Sequence, residues 1–294
     1  MHEFNTPQPI SARLSLLAAN VTLDAAERAT TTVDVQPTDP DEPRDVELAE
    51  RTSVSFDDGR LTVRAPRSGM WLSSKPRGSI ELTVALPARS DVRAETAAGA
   101  FRITGALGAC RLDTAMADVA IEHARTLRVN KAAGTVTIGE VAQDATVESA
   151  TGEIEIARIG GAAKIDAANG GITIGSVEGD LKVSGANGDI VARRCGSSVA
   201  ASTAFGSVRL ESVAQGAVKA DSARGDIEIG IVAGTAAWLD LNTTFGHAYS
   251  ELDEAQSPAD DERTVEVRAS TAFGDITVRR AQPATGDELA VTGA

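Results

Sequence analysis

The sequence predicts an all-β chain, a single-stranded parallel β-solenoid with about 18 residues per coil, two opposed sheets and an N-terminal β cap. Three observations predict it. Gly134, Gly152, Gly170, Gly188 and Gly206 fall 18 residues apart, and Gly225, Gly246 and Gly274 continue at longer intervals. Between residues 136 and 213 the apolar side chains recur with spacing 2, 3, 4 without a break, beginning Val136, Ile138, Val141, then Ala145, Val147, Ala150. The phrase ASTAFG occurs at 201–206 and again at 269–274, with an echo, NTTFG, at 242–246. A step of 2 is strand alternation, and the steps of 3 and 4 must turn corners.

Residues 1–90 are β-rich but keep no beat. Their candidate strands are RLSLL, NVTLDA, TTVDVQ, DVELAE, TSVSF, RLTVRA and SIELTVALP, broken at Asp39-Pro40, Asp57-Asp58-Gly59 and Pro66. A stack of strands needs its open end covered, because unpaired edges recruit other chains. This segment suits that capping role; a small separate β domain is the other reading. Inside it, SGMWLSSKPRG at 68–78 sets Met70, Trp71 and Leu72 among turn residues. They make either an apolar plug over the core or a contact surface for a partner or second copy.

Residues 91–280 hold the repeats. Each nine-residue half has room for one strand and one corner, so two halves make a coil. A strand this short holds only when stacked on its equivalent in the next coil. Glycine supplies the positive φ a sharp corner needs, and Asn169-Gly170 and Asn187-Gly188 are strong turn pairs. Branched residues are expected to fill the flat faces and alanines such as Ala150, Ala168 and Ala186 the inner corners. One residue is missing ahead of Leu127, and one is inserted ahead of Val218. A propeller is excluded by its longer period; a meander of hairpins with nine-residue spacing is the surviving rival. A polar insert, ELDEAQSPADDE, interrupts at 251–262 before Val267, Ala269, Ile276 and Val278 resume the pattern. Residues 281–294 are expected to form a flexible tail.

The composition excludes several functions. Lys plus Arg total 28 against 42 Asp plus Glu, a net charge of −14, which repels nucleic acid over most of the surface. No apolar run approaches the roughly 20 residues of a membrane span, so no direct membrane insertion is expected. The N-terminus has Glu3 and no basic segment ahead of its apolar stretch, which makes a poor signal peptide, so a cytoplasmic location is expected. His2, His123 and His247 share no ligand spacing. Cys110 and Cys195 occupy inward slots roughly 20 Å apart by the coil count, and read as small buried hydrophobes rather than a disulfide or a catalytic thiol.

The outward positions form columns. Arg111, Arg128, Lys164, Lys182 and Lys219 run beside Asp113, Glu148, Asp166 and Asp221, which reads as mutual neutralisation of stacked like charges. Asp118, Glu153, Asp189 and Asp226 share another column, but intervening Thr135, Gly171 and Ser207 space them about 10 Å apart, too far to share a calcium ion. No converging carboxylates suggest a glycosidase, and no GxxxxGK[ST] occurs. No catalytic residue, metal or cofactor is therefore expected. The remaining candidates are Phe205, Phe245 and Phe273, each just before a corner glycine, with Trp238 and Tyr249 nearby in sequence. They read either as local packing at a widened corner or as an exposed aromatic edge that binds something.

The units VESATGEIEIARIGG, IDAANGGITIGSVEGD, VSGANGDIVARRCG and VKADSARGDIEIG resemble the bacterial β-strand-repeat family known as "putative adhesin". The opening phrases ARLSLLAANVTLDA and SIELTVALPARSDVRAETAAGA share the resemblance, which covers about residues 10–280. It implies a solenoid or rack-like fold, tied in some relatives to the cell envelope, and lends no catalytic residue. The function expected from the residues is a non-catalytic structural scaffold or protein-interaction module, with a protein partner or self-association. The alternative is a cell-surface adhesin or carbohydrate-binding protein; an enzyme of the β-helix type would need a groove with clustered acids.

Overall fold

The computed structural model describes residues 1–66, 78–252 and 263–281. The chain opens with β1 (His2–Asn5), β2 (Ser11–Ser15), β3 (Ala18–Ala26), β4 (Thr30–Pro37) and the helix α1 (Pro43–Arg51). Strands β5 (Ser53–Asp57), β6 (Arg60–Arg64) and β7 (Ile80–Pro87) lead into β8 (Asp91–Ala133), which runs 43 residues without a break. Shorter strands follow: β9 (Val136–Val141), β10 (Ala145–Thr151), β11 (Ile154–Ile159), β12 (Ala163–Asn169), β13 (Ile172–Val177) and β14 (Leu181–Asn187). Next come β15 (Ile190–Cys195), β16 (Val199–Phe205), β17 (Val208–Val213), β18 (Gly216–Arg224) and β19 (Ile227–Ile231). The last are β20 (Thr235–Phe245), β21 (Ala248–Ser250), β22 (Arg263–Phe273) and β23 (Ile276–Arg280).

Strands one unit apart pair in parallel, in register. Ile154 lies opposite Ile172, and Ile172 opposite Ile190. Two ladders result. The first runs from the end of β8 through β10, β12, β14, β16 and β18. The second runs from the middle of β8 through β9, β11, β13, β15, β17 and β19. The inward side chains of both ladders belong to one hydrophobic core reaching from Ile10 to Val278. Parallel strands with long apolar stacks inside leave no place for a meander of hairpins.

The expectation of two opposed sheets is corrected: the 23 described strands belong to one continuous hydrogen-bonded sheet. The physical reason is β8, which stays extended through positions where later units break, and so carries bonding from one ladder into the other.

The order of the units is also not sequential at the ends. β22 lies between β18 and β20, and β23 between β19 and β21. The last described unit is thus inserted beneath the one before it. Burial follows this order. Val265, Val267 and Ala269 of β22, covered on both sides, are 0–2% exposed, whereas Leu239 and Leu241 of β20 are half-buried and β21 is exposed throughout. The same exchange occurs at the other end, where β2 lies between β6 and β8, and β3 between β7 and β8. Antiparallel strands close that end: β5 on β6, β4 on β7 and β1 on β4.

Two further sequence expectations are overturned. DVELAE is helical, not a strand. Pro43 fits the first turn of a helix, the Glu42 side chain accepts the Arg44 N–H, Asp45 stands at the positive end and Arg51 at the negative. Asp45 is buried and accepts N–H bonds from Asp39 (3.0 Å) and Ser79 (2.8 Å), which ties α1 to the chain on both sides.

The inner corner of the first ladder is not formed by the alanines that the spacing selects. The strands continue their alternation one step further, so Ser149, Ala167, Thr203, Ser222 and Thr271 are buried, while Ala150, Ala168 and Ala186 face outward. In the second ladder the expected triplet holds, with Val136, Ile138 and Val141 all buried.

Two paired substitutions test this register. Ile156 is 0% exposed, and an aspartate there should cost about 4 kcal/mol or more of stability. Glu155→Lys, on the exposed side, should stay within about 0.5 kcal/mol in the same denaturant titration. Gly170 has φ +130°, and an added Cβ would collide with the carbonyl of Gly152, whereas one on Gly171 would meet only Asp189 O at 3.9 Å. Gly170→Ala should therefore lower stability by about 2 kcal/mol or more, and Gly171→Ala should be nearly neutral.

Candidate functional site

The corner after the first ladder is the most elaborate feature of the surface. Three columns of residues meet there. At its centre runs the glycine column, Gly134, Gly152, Gly170, Gly188, Gly206, Gly225, Gly274 and Gly246, all at positive φ.

The inner column satisfies the glycine carbonyls. Thr203 Oγ1 donates to Gly188 O (3.3 Å), Ser222 Oγ to Gly206 O (3.0 Å), Thr271 Oγ1 to Gly225 O (3.0 Å) and Thr243 Oγ1 to Gly274 O (3.0 Å). Lys131 does the same with its ammonium toward Gly134 O, and burial pushes its pKa down to about 8 although Asp118 pulls the other way.

The outer column satisfies amide groups. Asp118 accepts from Thr135 N (2.7 Å) and Oγ1 (2.9 Å), Asp189 from Ser207 N (2.8 Å), Asp226 from Asp275 N (2.9 Å) and Asp275 from His247 N (2.8 Å). Three of the acids weighed as calcium ligands, Asp118, Asp189 and Asp226, are thus engaged with the backbone of the next unit. Among the described residues, no group of three or more His, Cys, Asp or Glu could hold a metal ion. The backbone and hydroxyl bonds from Thr135 hold the Asp118 carboxyl below its ordinary value, against a smaller effect of burial.

The third column is the residue just before each glycine, which the turn forces into solvent. In ladder order it reads Asn169, Asn187, Phe205, Arg224, Phe273 and Phe245. Asn187 Nδ2 donates to Asn169 Oδ1 at 2.8 Å. The Arg224 guanidinium lies 5.7 Å from the Phe205 ring centre and 5.6 Å from that of Phe273. Phe273 and Phe245 stack, centroids 4.9 Å apart and 10° from parallel. The rings are nonetheless exposed, at 53% for Phe205, 47% for Phe273 and 63% for Phe245. The structure therefore brings together the three phenylalanines singled out from the sequence. It adds Arg224, which the sequence reading passed over; its signal was the shared slot before a corner glycine.

A strip of aromatic faces with a guanidinium between two of them offers stacking and cation–π contacts. It holds no nucleophile paired with a base. Met70, Trp71 and Leu72 lie outside the described residues. Cys110 and Cys195 are free and buried, and burial pushes both thiols up to about 12, which keeps them un-ionised. His123 is exposed; His247 stacks on Tyr249 with centroids 5.7 Å apart. The charge columns form exposed pairs, such as Lys164 with Asp166 at 3.0 Å and with Glu148 at 3.8 Å. Such pairs contribute at most about 1 kcal/mol each.

The Asp118 corner predicts a pH dependence. Its folded pKa is depressed, so its contribution is present above the unfolded value of about 3.9 and is lost as pH falls through the folded value. Asp118→Ala should melt below the parent protein near pH 7, and the gap should narrow as the pH falls from about 5 to about 2. A gap independent of pH in thermal melts would contradict the assignment.

Comparison with known proteins follows from this geometry. The model of a family described as Toastrack DUF4097 matches residues 12–279. None of the curated proteins matches the chain. Among solved structures, one titled a "putative adhesin" from Bacteroides fragilis is 12% identical, covers 94% of this chain and 95% of that one, and has a TM-score of 0.36. Another "putative adhesin", from Parabacteroides merdae, is 11% identical over 96% and 95% with a TM-score of 0.37. A "Putative lipid binding protein" from Parabacteroides distasonis is 11% identical over 96% of both chains with a TM-score of 0.39.

The cytoplasmic location expected from the sequence is corrected by these findings: the solved structures that match are named for adhesion or lipid binding. Its grounds were the poor resemblance of the N-terminus to a leader and the lack of an apolar run long enough to span a membrane, and neither locates a protein. Among the described residues no helix is long and apolar enough to cross a membrane.

Proposed function

This chain belongs to the Toastrack DUF4097 family, and on that premise we propose that it is a non-catalytic binding module of the adhesive kind, engaging a surface glycan through its aromatic corner. The observation that carries the reading is the exposed column Phe205, Arg224, Phe273, Phe245. Its rings are held at strand spacing by the ladder beneath them, so they are positioned without any ligand. A preorganised row of flat apolar faces suits the stacked faces of pyranose rings, because little conformational entropy is lost on binding. The repeat period of the column suits a repeating ligand better than a single small molecule.

The two ladders are inferred to face each other across the common core as a flat parallel solenoid. That geometry makes the rest of the molecule a stiff spacer, and the scaffold role and the binding role are then parts of one reading. Nothing in the proposal calls for turnover of the ligand.

The test is retention on immobilised polysaccharides and a glycan array. Phe205→Ala, Phe273→Ala and Phe245→Ala combined should weaken binding about tenfold or more while the melting temperature hardly changes, since the side chains are exposed. Binding that survives the triple substitution would overturn the assignment of the site.

A further inference from the structure

The middle of the second ladder turns two cations outward that the surface does not neutralise. Elsewhere on the strand faces arginines stand beside carboxylates: Arg111 beside Asp113 at 2.9 Å, Arg209 beside Glu228 at 2.9 Å and Arg268 beside Glu266 at 2.6 Å. Arg158 of β11 and Arg194 of β15 are exposed, and their side chains have no ion pair or hydrogen bond among the described residues. The register fixes where they stand. Arg158 lies opposite Ser176, and Ser176 opposite Arg194. The two arginines are therefore two strand spacings apart, about 10 Å, with a hydroxyl midway.

That hydroxyl is unusual. Among the described residues the other buried serines, Ser90, Ser149 and Ser222, each donate to a backbone carbonyl. Ser176 is 8% exposed, and its hydroxyl bonds to no protein group. It opens instead into a groove of about 410 Å³ that Arg158, Arg194 and Ser212 also line. Cation and hydroxyl thus alternate along one groove, and all four side chains are free to donate.

We propose that this groove binds one phosphate or sulfate group, carried as an ester on a soluble sugar or glycan. The anion sits over Ser176, and each guanidinium reaches about 5 Å inward to it, half the distance between the arginines. Two planar forks match two edges of a tetrahedral oxyanion, and the serine hydroxyls donate to its other oxygens. Two cations converging on one position favour a dianion over a single carboxylate. The net charge of −14 repels an extended anionic surface such as a bilayer, whereas one ester group meets only the local cations. Glu178 lines the same groove and Glu140 lies opposite Arg158; both oppose the ligand without pairing with either arginine. β15 begins just after the glycine corner, and Arg194 is next to its last residue. The site therefore lies apart from the aromatic strip, and this proposal goes beyond the glycan reading.

The experiment is titration of the isotope-labelled full chain with sodium phosphate and sodium sulfate, followed by amide resonances at constant low ionic strength. Saturable shifts should centre on residues 158, 176 and 194, and chloride should not reproduce them. Arg158→Gln and Arg194→Gln should each weaken binding about tenfold and Ser176→Ala about threefold, with unchanged melts, since none of these side chains bonds within the protein. Glu178→Gln should tighten binding about threefold by removing the like charge. The triple substitution of Phe205, Phe273 and Phe245 should leave it intact, which separates this site from the aromatic strip. Glucose 6-phosphate and glucose 6-sulfate then tell which ester is preferred. No saturable shift with either anion, shifts matched by chloride, or full binding by the Arg158→Gln, Arg194→Gln double variant would overturn the site. Retention on vesicles holding phosphatidic acid, with no response to the sugar esters, would overturn the soluble ligand in favour of a lipid headgroup.

Discussion

Everything in this fold depends on turning the same corner at one level after another. Successive corners of the first ladder stack glycine on glycine, and each leaves a carbonyl and an amide that the ladders themselves do not bond. An added Cβ at Gly170 or Gly188 would strike the carbonyl of the glycine beneath, so the backbone approach itself demands glycine. The freed carbonyls are met from inside by Thr203, Ser222 and Thr271, and the freed amides from outside by Asp118, Asp189 and Asp226. Buried polar groups left without partners would cost about 1–3 kcal/mol each, repeated at every level. The hydroxyl and carboxylate columns remove that cost at the levels that carry them.

The candidate site is a by-product of the same geometry. A turn through a positive-φ glycine sends the preceding side chain into solvent, whatever its chemistry. Most units place a small or polar residue there. Four neighbouring levels place Phe205, Arg224, Phe273 and Phe245, and the ladder spacing converts them into a stacked strip. The insertion of β22 beneath β20 decides only which ring flanks the cation: Phe273 lies beside Arg224, where sequential units would set Phe245.

Much of this was legible from spacing. The 18-residue beat, the parallel register and the buried triplet Val136, Ile138, Val141 follow from counting apolar residues, because a side chain on the wrong face of a strand exposes the whole row. The failures share a cause. The 2, 3, 4 spacing of apolar residues points Ala150 inward, but Ser149 is the buried one; spacing counted over apolar residues alone passes over a buried hydroxyl. DVELAE alternates like a strand, but Pro43 and Glu42 supply a helix start that alternation ignores. The three phenylalanines were found by their shared slot; Arg224 occupies the same slot, but its part in the site shows in its ring contacts.

The sequence by itself determined the local geometry: where each strand begins, where it bends, and which side faces the core. These are set by residues a few positions apart. The tertiary structure alone decided the order of the units and the joining of the ladders through β8 into one sheet. Every unit carries nearly the same inward pattern, so each can stack on any other. Their order is a matter of contacts among distant segments, which no single stretch of chain contains.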